Sequence, residues 1–150
     1  MAITDITYEI HIATTAEKLW EALTSPEVLQ KNWGTIASHW TVGSSVMEVD
    51  DSGTVLWKGK VLHSEPPHLL SYTFDVIGVG EPPTEVTFEI GPPASELAPD
   101  ARVVRLRLAQ IGFGENSQVF AGCVRAWPEI LSSIKTWLET GRPLGFAWKH

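Results

Sequence analysis

Phe120, Val124, Trp127, Leu131, Ile134 and Leu138 follow one another at steps of four, three, four, three and four. That spacing puts six large apolar side chains on one stripe of a long helix, read over 116–140. Gly141 suits the C-cap, and Pro143 prevents continuation. Pro128 sits inside the pattern, as a kink or as a break into two pieces. So long a stripe must be covered by an apolar surface from elsewhere in the chain.

The rest of the sequence supplies that surface as strands. Residues 5–12 alternate, with Ile6, Tyr8, Ile10 and Ile12 on one face and His11 among the solvent-facing residues. Thr14 and Glu17 read as a capping box opening a helix on which Ala16, Leu19, Trp20 and Leu23 form the apolar stripe. Ser25-Pro26 ends that helix and starts a short second one, about 26–31, with Trp33 just beyond and Gly34 as its stop. From Trp40 the pattern is strand, turn, strand, with Gly43 and the cluster 50–53 as turns. Further strands are read at 54–64, 69–76, 84–90 and 102–111. On the first of these, Val55, Trp57, Gly59, Val61 and His63 share a face. On the last, Arg105 and Arg107 face solvent and pair with Glu85 or Glu89.

The order is one strand, two helices, about six strands and one long helix. Segregated helices and hairpin-spaced strands indicate an α+β fold. Its expected form is a curved antiparallel sheet of about six or seven strands wrapped around the C-terminal helix. Neither a repeat nor a linker interrupts the chain. Residues 1–150 therefore read as a single domain, with 145–150 as a tail.

Charge and cysteine usage limit the partners. The net charge of −7 argues against nucleic acid or an anionic membrane as the main partner. No apolar run reaches the ~18 residues of a membrane span, and the N-terminus lacks the pattern of a signal peptide. Cys123 is the single cysteine, read as a small buried apolar residue in a cytoplasmic protein.

Four segments carry a resemblance to a known superfamily. They are Ile12-Ala13 with 17–24, Pro26-Glu27 and Trp33; 40–43; 59–62 with 66–74; and 127–135 with 138–141. Together they resemble the SRPBCC superfamily, the helix-grip proteins related to START lipid-transfer domains and to birch-pollen-allergen-like proteins. Within it they resemble the branch of the activator of heat-shock-protein-ninety ATPase homologue. The resemblance covers about 3–144 and implies a cavity under the long helix. It does not imply one function, because the superfamily hosts carriers, cyclases, hydroxylase domains and chaperone regulators. Many members of the branch carry a histidine where this chain has Gln110, and glutamine cannot titrate near neutral pH.

Motifs for phosphate, dinucleotide, zinc-protease, nucleophile-elbow and calcium sites do not occur. His63 and His68 are five apart across Pro66-Pro67, a poor metal pair better read as strand-end residues. Asp5, Glu9, Asp50 and Asp51 read as surface acids. No metal, cofactor or catalytic residue is therefore expected.

Trp57, Tyr72, Phe74, Phe88, Leu106, Leu108, Gln110, Trp127, Leu131 and Ile134 all take the apolar parity of their elements. They are the expected lining of a site for a small apolar or aromatic molecule, with Tyr72 and Gln110 as polar anchors. Two alternatives stand beside this one. One is a chaperone-regulating or other protein-binding module, docking through Phe146 and Trp148 of the tail. The other is a cyclase- or hydrolase-type enzyme acting in the cavity. The expected state is a monomer or a homodimer.

Overall fold

A computed structural model describes residues 5–147. The alternating segments form strands β1 (Ile6–Ile12), β2 (Thr35–Ser38), β3 (Ser45–Val49), β4 (Val55–Glu65), β5 (Leu69–Val76), β6 (Thr84–Gly91) and β7 (Val104–Ile111). They make one antiparallel sheet in the order β1-β7-β6-β5-β4-β3-β2. Helices α1 (Ala16–Thr24) and α2 (Pro26–Asn32) follow β1, and α3 (Gln118–Thr140) ends the fold. This is the expected α+β helix-grip arrangement.

Register turns alternation into a surface. Val61, Tyr72, Val86, Gln110 and Ile6 stand opposite one another in a row across five strands. Leu70, Phe88, Leu108 and Tyr8 form a second row. Every member of the two rows except the half-buried Tyr8 is buried. Trp127, Leu131 and Ile134 of α3 belong to the same core.

The ends of α3 are fixed by polar contacts. Ser117 accepts a hydrogen bond from Phe120 N at 2.9 Å, and Glu81 accepts one from Gln118 N at 2.9 Å. Gly141 closes the helix at φ +82°, a conformation that costs glycine little. Pro128 does not divide the helix. Its missing N–H would have bonded the carbonyl of Val124, and Val124 is 43% exposed, so solvent can take over that bond. Beyond the helix, Leu144 N donates to Ser133 Oγ at 3.1 Å, and Ser133 Oγ donates to Asn32 Oδ1 at 2.7 Å. These contacts, the second of them buried, tie the chain after α3 to α3 and α2.

Several local expectations are corrected. The N-cap of α1 is Thr15, accepting from Lys18 N, while Thr14 is buried. The first turns of α3 bury Val119 and Cys123 in place of Phe120 and Val124, and Phe120 packs edge-on against Phe113 at 5.2 Å. Steps of three and of four both stay near one face, so spacing does not say which edge of the stripe is covered. His63 is turned outward by a bulge between Val61 and His63, which ends the alternation there. Arg107 pairs with Glu89 at 3.7 Å as expected, but Arg105 pairs with Glu9 at 3.2 Å, because β1 lies beside β7.

Glu139 joins the end of α3 to the start of the chain. It accepts from Ala13 N at 2.8 Å and from Lys135 Nζ at 2.6 Å. The Ala13 N–H first, then Lys135, hold its carboxyl below the usual glutamate value of 4.5. A depressed carboxyl contributes stability above its unfolded pKa and loses it as the pH falls through the folded value. Glu139→Gln should therefore cost about 0.5–1 kcal/mol at neutral pH. The difference from the parent should shrink on acidification below 4.5. Urea unfolding at several pH values checks this; a pH-independent difference would show that the carboxylate charge is not what matters.

Candidate functional site

The pleat of β4, β5 and β6 aims Trp57, Tyr72, Phe74 and Phe88 at the same side as Trp127 of α3, and their rings meet. Trp57 stacks on Tyr72 with centroids 5.7 Å apart and touches Phe74 at 4.5 Å. Tyr72 and Phe88 are 6.2 Å apart, and Phe88 meets Trp127 edge-on at 5.8 Å. Such offset and edge-on pairs satisfy the ring quadrupoles. Leu106, Leu108, Leu131 and Ile134 are fully buried in the same core, so all ten expected residues are buried together.

Two more tryptophans extend this aromatic ladder. Trp33, just after α2, lies 5.9 Å from Trp57 and 5.1 Å from Trp127. Trp40, between β2 and β3, lies 6.0 Å from Tyr72. Both sit outside regular elements, where parity assigns no face.

Polar atoms inside are few. Gln110 is 0% exposed. Its Oε1 accepts from Trp127 Nε1 at 2.8 Å, and its Nε2 donates to Thr84 Oγ1 at 2.9 Å. Its amide thus fixes the tilt of Trp127 over the sheet. Glu48 of β3 is 3% exposed and accepts from Trp57 Nε1 at 2.8 Å. The sequence reading missed Glu48, although it shares the parity of the buried Val46. Burial above all, with the charge of Glu48 and then Cys123, pushes the Tyr72 phenol far up, so it stays protonated. Burial pushes the Cys123 thiol up to about 11, so it is no ready nucleophile.

Two hollows open near the ladder, and none of the ten residues lines either one. The larger, about 720 Å³, lies between α2, β3 and the tail, and includes Lys31, Trp33, Asp50, Asp51 and Phe146. Phe146 is 43% exposed. Trp148, the other tail aromatic, lies outside the described residues. The smaller hollow, about 420 Å³, includes Trp20, His39, Trp40, Val42, Ser64 and Pro66. Asp50 is occupied in closing its turn, accepting from Ser52 N at 2.9 Å and Thr54 N at 3.0 Å. Among the described residues no three His, Cys, Asp or Glu side chains are grouped to hold a metal ion, and no helix is long and apolar enough to cross a membrane.

The model of the family described as "Activator of Hsp90 ATPase homolog 1-like protein" matches residues 13–139, most of the chain. The chain belongs to this family. Solved structures agree with the fold of this Hsp90-activator-homologue-like chain. Protein MLL2253 from Mesorhizobium loti superposes with a TM-score of 0.77 at 26% identity, over 91% of this chain and 97% of that one. The Aha1 dimer from Colwellia psychrerythraea gives 0.71 at 24% identity, over 93% and 98%. PFC0360w, an HSP90 activator from Plasmodium falciparum, gives 0.69 at 15% identity, over 95% and 99%. No curated protein sequence matches the chain.

Proposed function

We propose that this family member binds one small apolar or aromatic molecule against the aromatic ladder between the sheet and α3. The observation that supports this is the ladder itself, five rings from β4, β5, β6, α3 and the residue after α2, in mutual contact. Trp33 belongs both to the ladder and to the larger hollow, and Trp40 touches the ladder from the smaller one. A guest would reach the ladder by displacing one of these two rings. Affinity would come from apolar burial, about 25 cal/mol per Å² before the costs of association. Binding without chemistry suits a site whose phenol and thiol keep their protons and whose glutamine holds Trp127 in place. A lone thiol suits a reducing cytoplasm.

Thermal unfolding with a panel of small neutral aromatic and fatty molecules tests this. A true ligand at about a hundredfold its Kd adds about 2.7 kcal/mol. For a chain of this size that raises the midpoint by roughly 5–10 °C. A panel in which no member shifts the midpoint would count against the reading. The family description and the exposed Phe146 favour a second reading, a module that docks on a chaperone. An inert panel together with stimulation of an Hsp90-type ATPase would move the assignment there.

A further inference from the structure

We infer that the smaller hollow is a site of its own, taking a small free organic cation with a trimethylammonium group held against the indoles of Trp20 and Trp40. It shares only Trp40 with the ladder and stands independently of any guest there.

The first observation is the chemistry of the walls. Trp20, Trp40, Val42 and Pro66 supply apolar surface, and no Lys, Arg, Asp or Glu lines the hollow. Both indoles are half-buried. Among the described residues they make no ring contact with each other, Trp20 touches no other ring, and Trp40 touches only Tyr72. Each therefore keeps π surface for a guest. The hydroxyls beside them are already committed as donors. Thr24 Oγ1 donates to Trp20 O at 2.8 Å, and Ser64 Oγ donates to Trp40 O at 2.6 Å. Their oxygens remain as acceptors. Indole surface and acceptor oxygens together favour a cation over an anion.

The second observation is charge at the rim. Glu17, Trp20, Glu21 and Thr24 stand at i, i+3, i+4 and i+7 of α1, on one face of that helix. Glu17 and Glu21 are exposed, and among the described residues neither is in an ion pair. They give the Trp20 side of the hollow a negative potential, in a chain of net charge −7. The third observation is the strain at Trp40. Its φ is +56°, a conformation that costs a bulky residue energy. Ser38 Oγ accepts from Trp40 N at 3.0 Å, so hydroxyls fix its backbone at both N–H and carbonyl. A strained residue clamped in this way presents its ring in one place, which lowers the ordering cost of a weak contact. A trimethylammonium group suits such walls because its charge is spread over methyl groups and it has no N–H to satisfy.

Three probes test the inference: choline, its neutral isostere with a tert-butyl group in place of the trimethylammonium, and phosphocholine. Titrations are followed by NMR through the indole N–H signals, with Trp20→Leu and Trp40→Phe assigning two of them. Choline should bind about five- to tenfold tighter than the neutral isostere and should move the Trp20 and Trp40 signals most. Phosphocholine, whose phosphate meets the acidic rim, should bind more weakly than choline, which separates a free small molecule from a lipid headgroup. Choline that does not bind, or binds no better than the isostere, overturns the inference. So does tighter binding of phosphocholine, or the largest shifts at Trp57 and Trp127. Glu21→Gln alters only an exposed side chain; it should weaken choline about two- to threefold and leave the isostere unchanged. Equal weakening of both probes, or of neither, overturns the role of the rim. Trp20→Leu keeps apolar volume and removes the indole, so the preference for choline should fall to about twofold or less. A Trp20→Leu protein with the parent's thermal midpoint and an intact preference overturns the site. If choline fails while a neutral aromatic raises the midpoint, this inference falls and the ladder reading stands. If choline binds as described and the aromatic panel is inert, the hollow is supported and the ladder reading falls.

Discussion

Gly59→Ala is expected to lower the unfolding free energy by about 4 kcal/mol, or to leave the chain unable to fold. Gly59 lies in β4, which pairs with β5. A Cβ built there would sit 1.7 Å from the Thr73 carbonyl oxygen and 2.6 Å from its carbon. Both atoms are backbone, so no side-chain rotation relieves the overlap. The two strands would have to separate where they carry Trp57 and Tyr72, the stacked centre of the ladder. Gly91, at the end of β6, is the matched control. Nothing lies within 4 Å of its Cβ position, so Gly91→Ala should change stability by no more than about 0.5 kcal/mol. Urea midpoints of the two variants decide the matter. Equal midpoints would mean that β4 and β5 do not approach as closely as described.

Trp127→Ala should produce a loss of similar size for a different reason. Removing a buried tryptophan from a core costs about 3–5 kcal/mol through lost burial and the cavity left behind. The Gln110 Oε1 would also lose the N–H it accepts at 2.8 Å. Trp127→Phe separates the two contributions, since it keeps a ring beside Phe88 and removes only the N–H and part of the volume; its cost should be about 1–3 kcal/mol. The space opened in Trp127→Ala is flanked by Trp33 and Phe88 and presents the Gln110 acceptor. Indole fits that space and donates one N–H. Added indole should therefore raise the midpoint of Trp127→Ala by more than that of the parent. A loss under about 1 kcal/mol in Trp127→Ala would show that α3 is not seated on the sheet through this residue.

Both expectations involve residues that alternation and helical spacing had already placed inside. Trp57, Tyr72, Phe74, Phe88, Leu106 and Leu108 fall on the buried face because a strand's side chains point alternately to its two faces. Trp127, Leu131 and Ile134 do so because a helix repeats every 3.6 residues. Where the local backbone departs from its period, the reading fails. The bulge after Val61 turns His63 outward. Between elements the reading also fails: it leaves Trp33 just beyond a helix, and it opens a strand at Trp40, where the chain turns. Trp33 and Trp40 stand between elements, yet they complete the ladder. Glu48 carries a charge, which argues for the surface until its bond to Trp57 is seen. Gln110 was legible as buried, but its role in holding Trp127 depends on a contact across 17 residues.

The sequence by itself determined the superfamily, the order of most elements and the face that most of them bury, because these follow from periodicity or from motifs that local chemistry preserves. It places a strand from Trp40, where the chain turns, and misses β2 just before it. Only the tertiary structure decided that β1 closes beside β7, so that Arg105 meets Glu9. It alone brought Asn32 to Ser133 across 101 residues, and placed the two hollows at Trp33 and Trp40, beside the ten expected residues. The reason is physical. A period records which side of an element avoids water, whereas the pairing of elements is settled by the path of the whole chain and the close packing of their side chains.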